Sequence, residues 1–163
     1  MRILVLTLIA FGLTACGFKP MHAPGAFSDT GYSFEKISVV TVKEDKADFL
    51  LKQALRDRFG DNANTQYELR IDPKVSRGGL GIGADDVASR YDMRMSAKYE
   101  LVERKSGKTV DQGTVSSIST FAAPRDPYGR ISAENNATEQ VARETADRII
   151  IKLANYFESE DKE

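Results

Sequence analysis

Cysteine, histidine and tryptophan are almost missing from this chain: one cysteine (Cys16), one histidine (His22) and no tryptophan in 163 residues. A single cysteine permits neither a disulfide framework nor a thiolate metal site. A single imidazole, set among prolines and glycines, offers no base for a Ser-His-Asp triad. No excess of one charge is present either. The 23 basic and 24 acidic residues leave a formal charge of −1, whereas a nucleic-acid binder shows a basic surplus. Internal repeats and low-complexity blocks are absent. The apolar run at the start, Ile3 to Leu13, falls short of the roughly 18 residues a membrane-crossing helix needs.

What is present begins with that short run. Met1-Arg2 supplies a charged start, Ile3 to Leu13 an apolar stretch, and Leu13-Thr14-Ala15-Cys16-Gly17 small residues ending at the cysteine. A basic start, an apolar region of about 7–15 residues and small residues at the cut describe an export signal. A cysteine placed directly after those small residues is the pattern of a bacterial lipoprotein signal. The expectation is that residues 1–15 are removed and that Cys16 is acylated and tethers the mature protein to a membrane outside the cytoplasm. Plain secretion with a coincidental cysteine and a spanning anchor are the competing readings. Gly17, Pro20, Pro24 and Gly25 prevent regular structure, so residues 16–32 read as an extended tether, followed by a domain over 33–158 and a charged tail over 159–163. One domain is what this length supports.

Within the domain, Ile37 to Val42 is short and β-branched, a first strand. Asp45 to Phe59 reads as a helix, with Leu51, Leu55 and Phe59 on one stripe and Gly60 as its stop. Tyr67, Leu69 and Ile71 alternate with polar residues as a half-buried strand running to Val75, and Ser76 to Asp86 is expected to be a Gly-rich hairpin loop. From Arg90, the residues Tyr91, Met93, Met95, Ala97, Tyr99 and Leu101 face one way, and Arg90, Asp92, Arg94, Ser96, Lys98 and Glu100 the other. A tight turn over Lys105–Lys108 leads to a strand from Thr109 to about Phe121, with Gly113 as a candidate bulge. Ala122 to Ser132 reads as a loop, and Glu134 to Phe157 as a long amphipathic helix with glutamates at its start. The fold class expected is α+β, in the order β-α-β-β-β-α. Two helices pack on one face of a four-stranded, mostly antiparallel sheet, and the other face is polar and open.

Catalytic and ligand motifs are weak. Gly78-Gly79-Leu80-Gly81-Ile82-Gly83 resembles a phosphate cradle but lacks the Lys-Ser/Thr ending, and a strand rather than a helix follows. Asp85-Asp86 lacks the spaced oxygens of a calcium loop. No carboxylate pair stands in a catalytic context, so an enzyme is not expected, and no cofactor or metal is implied. The row Arg90, Arg94 and Lys98, with Arg70 and Lys74 on the preceding strand, is the one constellation aimed at a ligand. Guanidinium and ammonium groups pair with phosphate, so the row is a candidate for lipid head groups. The alternative is a solvated face, because Glu68, Asp72, Asp92 and Glu100 lie among the cations.

Taken together, the chain resembles the LptE family of lipopolysaccharide-assembly lipoproteins. The likeness rests on Cys16-Gly17-Phe18-Lys19-Pro20-Met21, which is similar to the Cys-Gly-Phe-x-Pro-Leu start of α-proteobacterial members. It rests also on the helix Leu50–Phe59, the strands Tyr67–Val75 and Tyr91–Leu101, Ala133-Glu134-Asn135-Asn136, and the helix ending Arg148-Ile149-Ile150-Ile151-Lys152-Leu153. The resemblance implies an outer-membrane lipoprotein lodged as a plug in the LptD β-barrel, helping that barrel assemble and pass lipopolysaccharide to the outer leaflet. It implies lipidation at Cys16 and lipopolysaccharide binding through basic residues, for which Arg90, Arg94, Lys98 and Arg70 are the candidates. A different class remains open: a periplasm-facing lipoprotein subunit of an ATP-driven lipid transporter.

Overall fold

A computed structural model describes residues 34–60, 63–82 and 88–160, all within the second of two compact units, Ser33–Glu163. A short 3-10 turn, Phe34–Lys36, leads into β1 (Ile37–Thr41). Then follow α1 (Lys46–Phe59), β2 (Tyr67–Ile82), β3 (Ala88–Glu103), β4 (Thr109–Ala122) and α2 (Pro127–Glu160). The strands form one sheet in the order β1-β2-β3-β4. β1 and β2 run parallel, with α1 as their crossover, and the other two pairs are antiparallel. The expected α+β arrangement, a mostly antiparallel sheet with both helices on one face, is the fold observed.

Each element follows from local chemistry. The Asp45 side chain caps α1 by accepting the Asp48 N–H at 3.0 Å. α1 ends where Gly60 turns to φ 78° and donates its N–H to the Arg56 carbonyl at 2.9 Å, a backbone geometry that favours glycine. Leu51, Leu55 and Phe59 are buried against β1 and β2. On β3 the period of two holds from Met93 to Leu101: Met93, Met95, Ala97, Tyr99 and Leu101 are at most 4% exposed. α2 lies over β4 and β3, burying Val141, Thr145, Ile149 and Leu153. Thr145 sits on this apolar stripe because its hydroxyl donates to the Val141 carbonyl at 2.7 Å. Pro73 fits inside β2 for a related reason. The Ile71 carbonyl accepts from Val42 on the β1 side, so residue 73 faces that side too, and β1 has already ended at Thr41. The missing N–H therefore breaks no ladder.

Three expectations are corrected. Ser76 to Ile82 is strand, paired with Ala88 to Arg94, and the rest of the expected loop, residues 83–86, lies outside the described residues. Ladder bonds use backbone alone, so Gly78, Gly79 and Gly81 erase the side-chain pattern without stopping the strand. The second helix starts at Pro127, not Glu134, and continues through Glu158 to Glu160. Proline at the first helical position lacks a donor that would be unsatisfied anyway. Asp126 caps the turn by accepting the Gly129 N–H at 2.6 Å, and a Cβ on Gly129 would stand 2.5 Å from that carboxylate. The irregularity in β4 is not at Gly113. It lies where Leu101 and Val102 face Asp111 and Thr109. Gly113 instead makes room for the ring of Tyr99, its cross-strand partner.

The proportions position the surfaces described next. β2, at 16 residues, spans roughly 50 Å, and α2, at 34 residues, is about as long. α1 has 14 residues and covers only about 21 Å. It runs back from the end of β1 to the aromatic cluster where Phe34 stacks on Phe59 at 5.5 Å and Phe157 meets Tyr67 at 5.4 Å. Past the start of α1, the β2–β3 arm (Val75–Ile82 with Ala88–Met95) is flanked on its helical face, among the described residues, by α2.

Candidate functional site

Alternation along β3 puts Arg90, Arg94 and Lys98 on the open face of the sheet, all exposed. At every fourth residue they stand about 13 Å apart. Arg70 and Lys74 of β2 are exposed on the same face, opposite Glu100 and Ser96. The register then separates the cations. Arg70 Nε is bound to Glu68 at 2.8 Å, and Arg104 reaches the same carboxylate at 3.7 Å. Lys98 sits directly across from Asp72, which Lys43 also approaches at 3.7 Å. This half of the face mixes both signs, with Arg70 and Arg104 paired to Glu68, and Lys43 and Lys98 beside Asp72.

The half nearer the arm is different. Arg94 lies between Ser76 and Ile118, and Arg90 between Leu80 and Ala122. Leu80 and Ile118 are 41% and 43% exposed. The intervening acid, Asp92, accepts the Thr120 hydroxyl at 2.6 Å. Among the described residues neither Arg90 nor Arg94 has an ion-pair partner. Two unpaired guanidinium groups beside exposed aliphatic side chains suit an amphipathic anion, with phosphate on the arginines and hydrocarbon on Leu80 and Ile118. The structure thus brings Arg90 and Arg94 together with apolar neighbours, and leaves Arg70 and Lys98 beside acids.

A concavity lies on the helical face, where α1 begins. It is a cleft of about 490 Å³ with Val75, Met93 and Ile131 in its wall. Lys46 Nζ donates to Asn135 Oδ1 at 2.6 Å, and Arg77 Nη1 binds Glu134 Oε2 at 2.8 Å. Arg77 also lies 5.1 Å above the Tyr91 ring, which stacks on Phe121 at 5.8 Å. Arg77 is hidden in the sequence because the glycines that follow it break the side-chain alternation. Continuing the β2 alternation from Ile71 through Pro73 and Val75 would have placed it on the inner face.

Ionisable groups at two places are perturbed by their surroundings, the Asp45–Asp48 pair and Tyr99. Asp48 is buried, at 1% exposure, and its carboxyl oxygens have no hydrogen-bond partner among the described residues. Burial, and then the neighbouring Asp45, push its pKa above the ordinary 3.8. Asp45 moves the other way, chiefly because it accepts the Asp48 N–H. Tyr99 is raised to about 12 by burial and by Asp111, to which its hydroxyl donates at 3.1 Å. Tyr99 is tied to Asp111 by its hydrogen bond, whereas Asp48 carries a buried carboxyl whose ionised form the fold disfavours. Among the described residues no three or more metal-ligating side chains converge, and no helix is long and apolar enough to cross a membrane. Cys16 with the expected signal and tether, and Asp85-Asp86, lie outside the described residues.

The comparisons agree with this architecture. A lipoprotein from Caulobacter crescentus CB15 superposes with a TM-score of 0.68 at 27% identity, covering 78% of this chain and 94% of that one. Rare lipoprotein B from Shewanella oneidensis gives 0.58 at 16% identity, covering 77% and 98%. A minor lipoprotein from Acinetobacter baumannii gives 0.53 at 19%, covering 71% and 87%. The last two show the shared fold. No curated protein matches in sequence. The model of the lipopolysaccharide-assembly family LptE matches residues 34–153, which takes in both helices' packed stripes and the whole sheet. The chain belongs to the LptE lipopolysaccharide-assembly family.

Proposed function

We propose that this protein is an outer-membrane lipoprotein, acylated at Cys16 and facing the periplasm, that serves as plug and assembly partner of an LptD-like β-barrel. In that role it is a non-catalytic adaptor in the delivery of lipopolysaccharide to the outer leaflet. The observation that carries the reading is a family match spanning the folded domain. The shape supports it. An open sheet face of hydroxyl and charged side chains can sit against the water-lined wall of a barrel lumen. The β2–β3 arm extends that face away from the Phe34 end, where the chain from Cys16 enters. Acyl chains contribute about 0.8 kcal/mol per buried methylene, and more than one chain gives stable attachment.

Within this reading Arg90 and Arg94 meet lipopolysaccharide phosphates, Lys98 adds a weaker contact beside Asp72, and Arg70 contributes least because Glu68 holds it. The test is photo-crosslinking in cells from a reactive residue placed at position 94. Adducts to lipopolysaccharide or to the barrel are expected, and a solvated face that yields neither would remove the ligand role from this row. Feeding cells a clickable fatty acid tests the anchor, since the Cys16→Ser variant is expected to take up no label.

A further inference from the structure

The packed surfaces of β2 and α2 run on past the point where α1 begins. Along β2 the inward positions Leu69 and Ile71 are buried, yet Val75 is 38% exposed. Along α2, Thr145 and Thr138 are buried on the inner stripe, yet Ile131, one heptad earlier on that stripe, is 59% exposed. Met93 of β3 lines the same space. α1 does not extend into it, because Asp45 caps its first turn by accepting the Asp48 N–H. What remains is the cleft of about 490 Å³. Among the described residues, the helical layer is one piece short there.

We propose that this cleft seats a loop of the partner barrel, a segment of no net charge that presents one aliphatic or aromatic side chain. The inference rests on the barrel-partner reading and names a surface by which that partner is held. The side chain packs on Val75, Met93 and Ile131, as an interface anchor fills a pocket. Charge decides between kinds of occupant. The rim carries two cations, Lys46 and Arg77, and two acids, Asp45 and Glu134, and Arg77 is bound to Glu134 at 2.8 Å. The balance leaves no surplus positive charge for a phosphate, in contrast to Arg90 and Arg94 on the open face. A neutral segment brings no unpaired charge into the cleft and avoids that desolvation cost.

A peptide also matches the polar groups of the rim. Each residue of a loop other than proline offers both an N–H and a C=O. Lys46 Nζ donates to Asn135 Oδ1 at 2.6 Å and keeps further donors for carbonyl oxygens. Glu134 holds Arg77 through Oε2, which leaves its other oxygen to accept from an N–H. A lipid tail answers neither group. The cleft lies on the helical face and the Arg90 and Arg94 row on the open one, so a single copy can hold the barrel segment without giving up the lipid face.

The test is photo-crosslinking in cells from a reactive residue at position 131, with the adduct mapped by mass spectrometry. The expected adduct is one loop of the barrel, in a stretch without net charge. An adduct to lipopolysaccharide or phospholipid, to a strand of the barrel wall or to a charged loop, or no adduct at all, would overturn the proposal. Recovery of the barrel with the detergent-extracted full chain gives a second readout. Ile131 is exposed, so Ile131→Asp is expected to keep the wild-type melting curve and to lower barrel recovery about tenfold, the scale of a lost anchor. Ile131→Leu is expected to retain it. Ile151 is exposed on the same helix but outside the cleft lining, and Ile151→Asp is expected to leave recovery unchanged. Undiminished recovery with Ile131→Asp, or an equal loss with Ile151→Asp, would overturn the proposal and leave the barrel-partner reading standing. A wild-type chain that brings down no barrel would end both.

Discussion

Removing Arg90 and Arg94 separates the ligand face from a merely solvated one. Both guanidinium groups are exposed and lack ion-pair partners among the described residues, so truncation leaves no buried charge behind and the fold is expected to be unaffected. A cation near an anionic lipid surface contributes about 1 kcal/mol, which is roughly fivefold in affinity. Arg94→Ala alone should therefore weaken lipopolysaccharide binding about fivefold. The two sites are far enough apart to add, and the double variant should weaken it about 25-fold. Arg70→Ala is the internal control. Its guanidinium is held by Glu68 at 2.8 Å, and Arg104 remains 3.7 Å from the same carboxylate to neutralise it. Its loss should therefore change affinity less than about twofold. The assay is fluorescence anisotropy of a labelled lipopolysaccharide titrated with the detergent-purified full chain. It is repeated at rising salt, because screening falls from about 10 Å at 0.1 M to about 3 Å at 1 M. Wild type should lose affinity with salt more steeply than the double variant. The reasoning is refuted if Arg70→Ala weakens binding as much as Arg94→Ala, or if the double variant binds as wild type does.

Three further outcomes follow from the packing. Gly113→Ala puts a methyl group 2.9 Å from the Tyr99 ring, which burial and the Asp111 hydrogen bond hold in place. It should cost about 2 kcal/mol and lower Tm by roughly 5–10 °C, while Gly78→Ala, with nothing within 4 Å, should leave Tm nearly unchanged in the same thermal scan. Joining the paired residues Leu80 and Arg90 through an Asn-Gly turn shortens the arm. It should leave the melting curve intact and reduce co-purification of the barrel, and a wild-type yield would argue against a role for the arm. Asp48→Asn should be more stable than wild type at pH 7.4. A carboxyl whose pKa is raised in the folded state binds its proton more tightly there. Its stabilising contribution is therefore complete below the ordinary 3.8 and is lost as pH rises above it. The stability gap should narrow as pH falls toward 4, and a gap constant with pH in denaturant titrations would contradict this.

Much of the fold is written in side-chain periodicity. Met93 to Leu101 alternates without interruption, and Leu51, Leu55 and Phe59 recur at helical spacing, so β3 and α1 were legible from residue type alone. The elements that escaped are those in which backbone carries the information. Gly78 and Gly79 have no side chains to alternate, yet they pair with β3 because N–H and C=O groups suffice. Pro127 and Gly129 look like loop residues until the Asp126 cap shows that one starts the helix and the other gives the cap its space. Strand partners are a further blind spot. Alternation tells which face a residue takes but not what stands beside it. That is why the four candidate cations looked equivalent in sequence, whereas the register sets Arg70 beside Glu68 and Lys98 beside Asp72.

This LptE-family protein is proposed to work as the lipid-anchored partner of an outer-membrane barrel. Affinity purification of the full chain from detergent-extracted membranes, with identification of the stoichiometric companion by mass spectrometry, tests it most directly. An LptD-like β-barrel is the predicted companion. An ATP-driven inner-membrane transporter in its place would contradict the account.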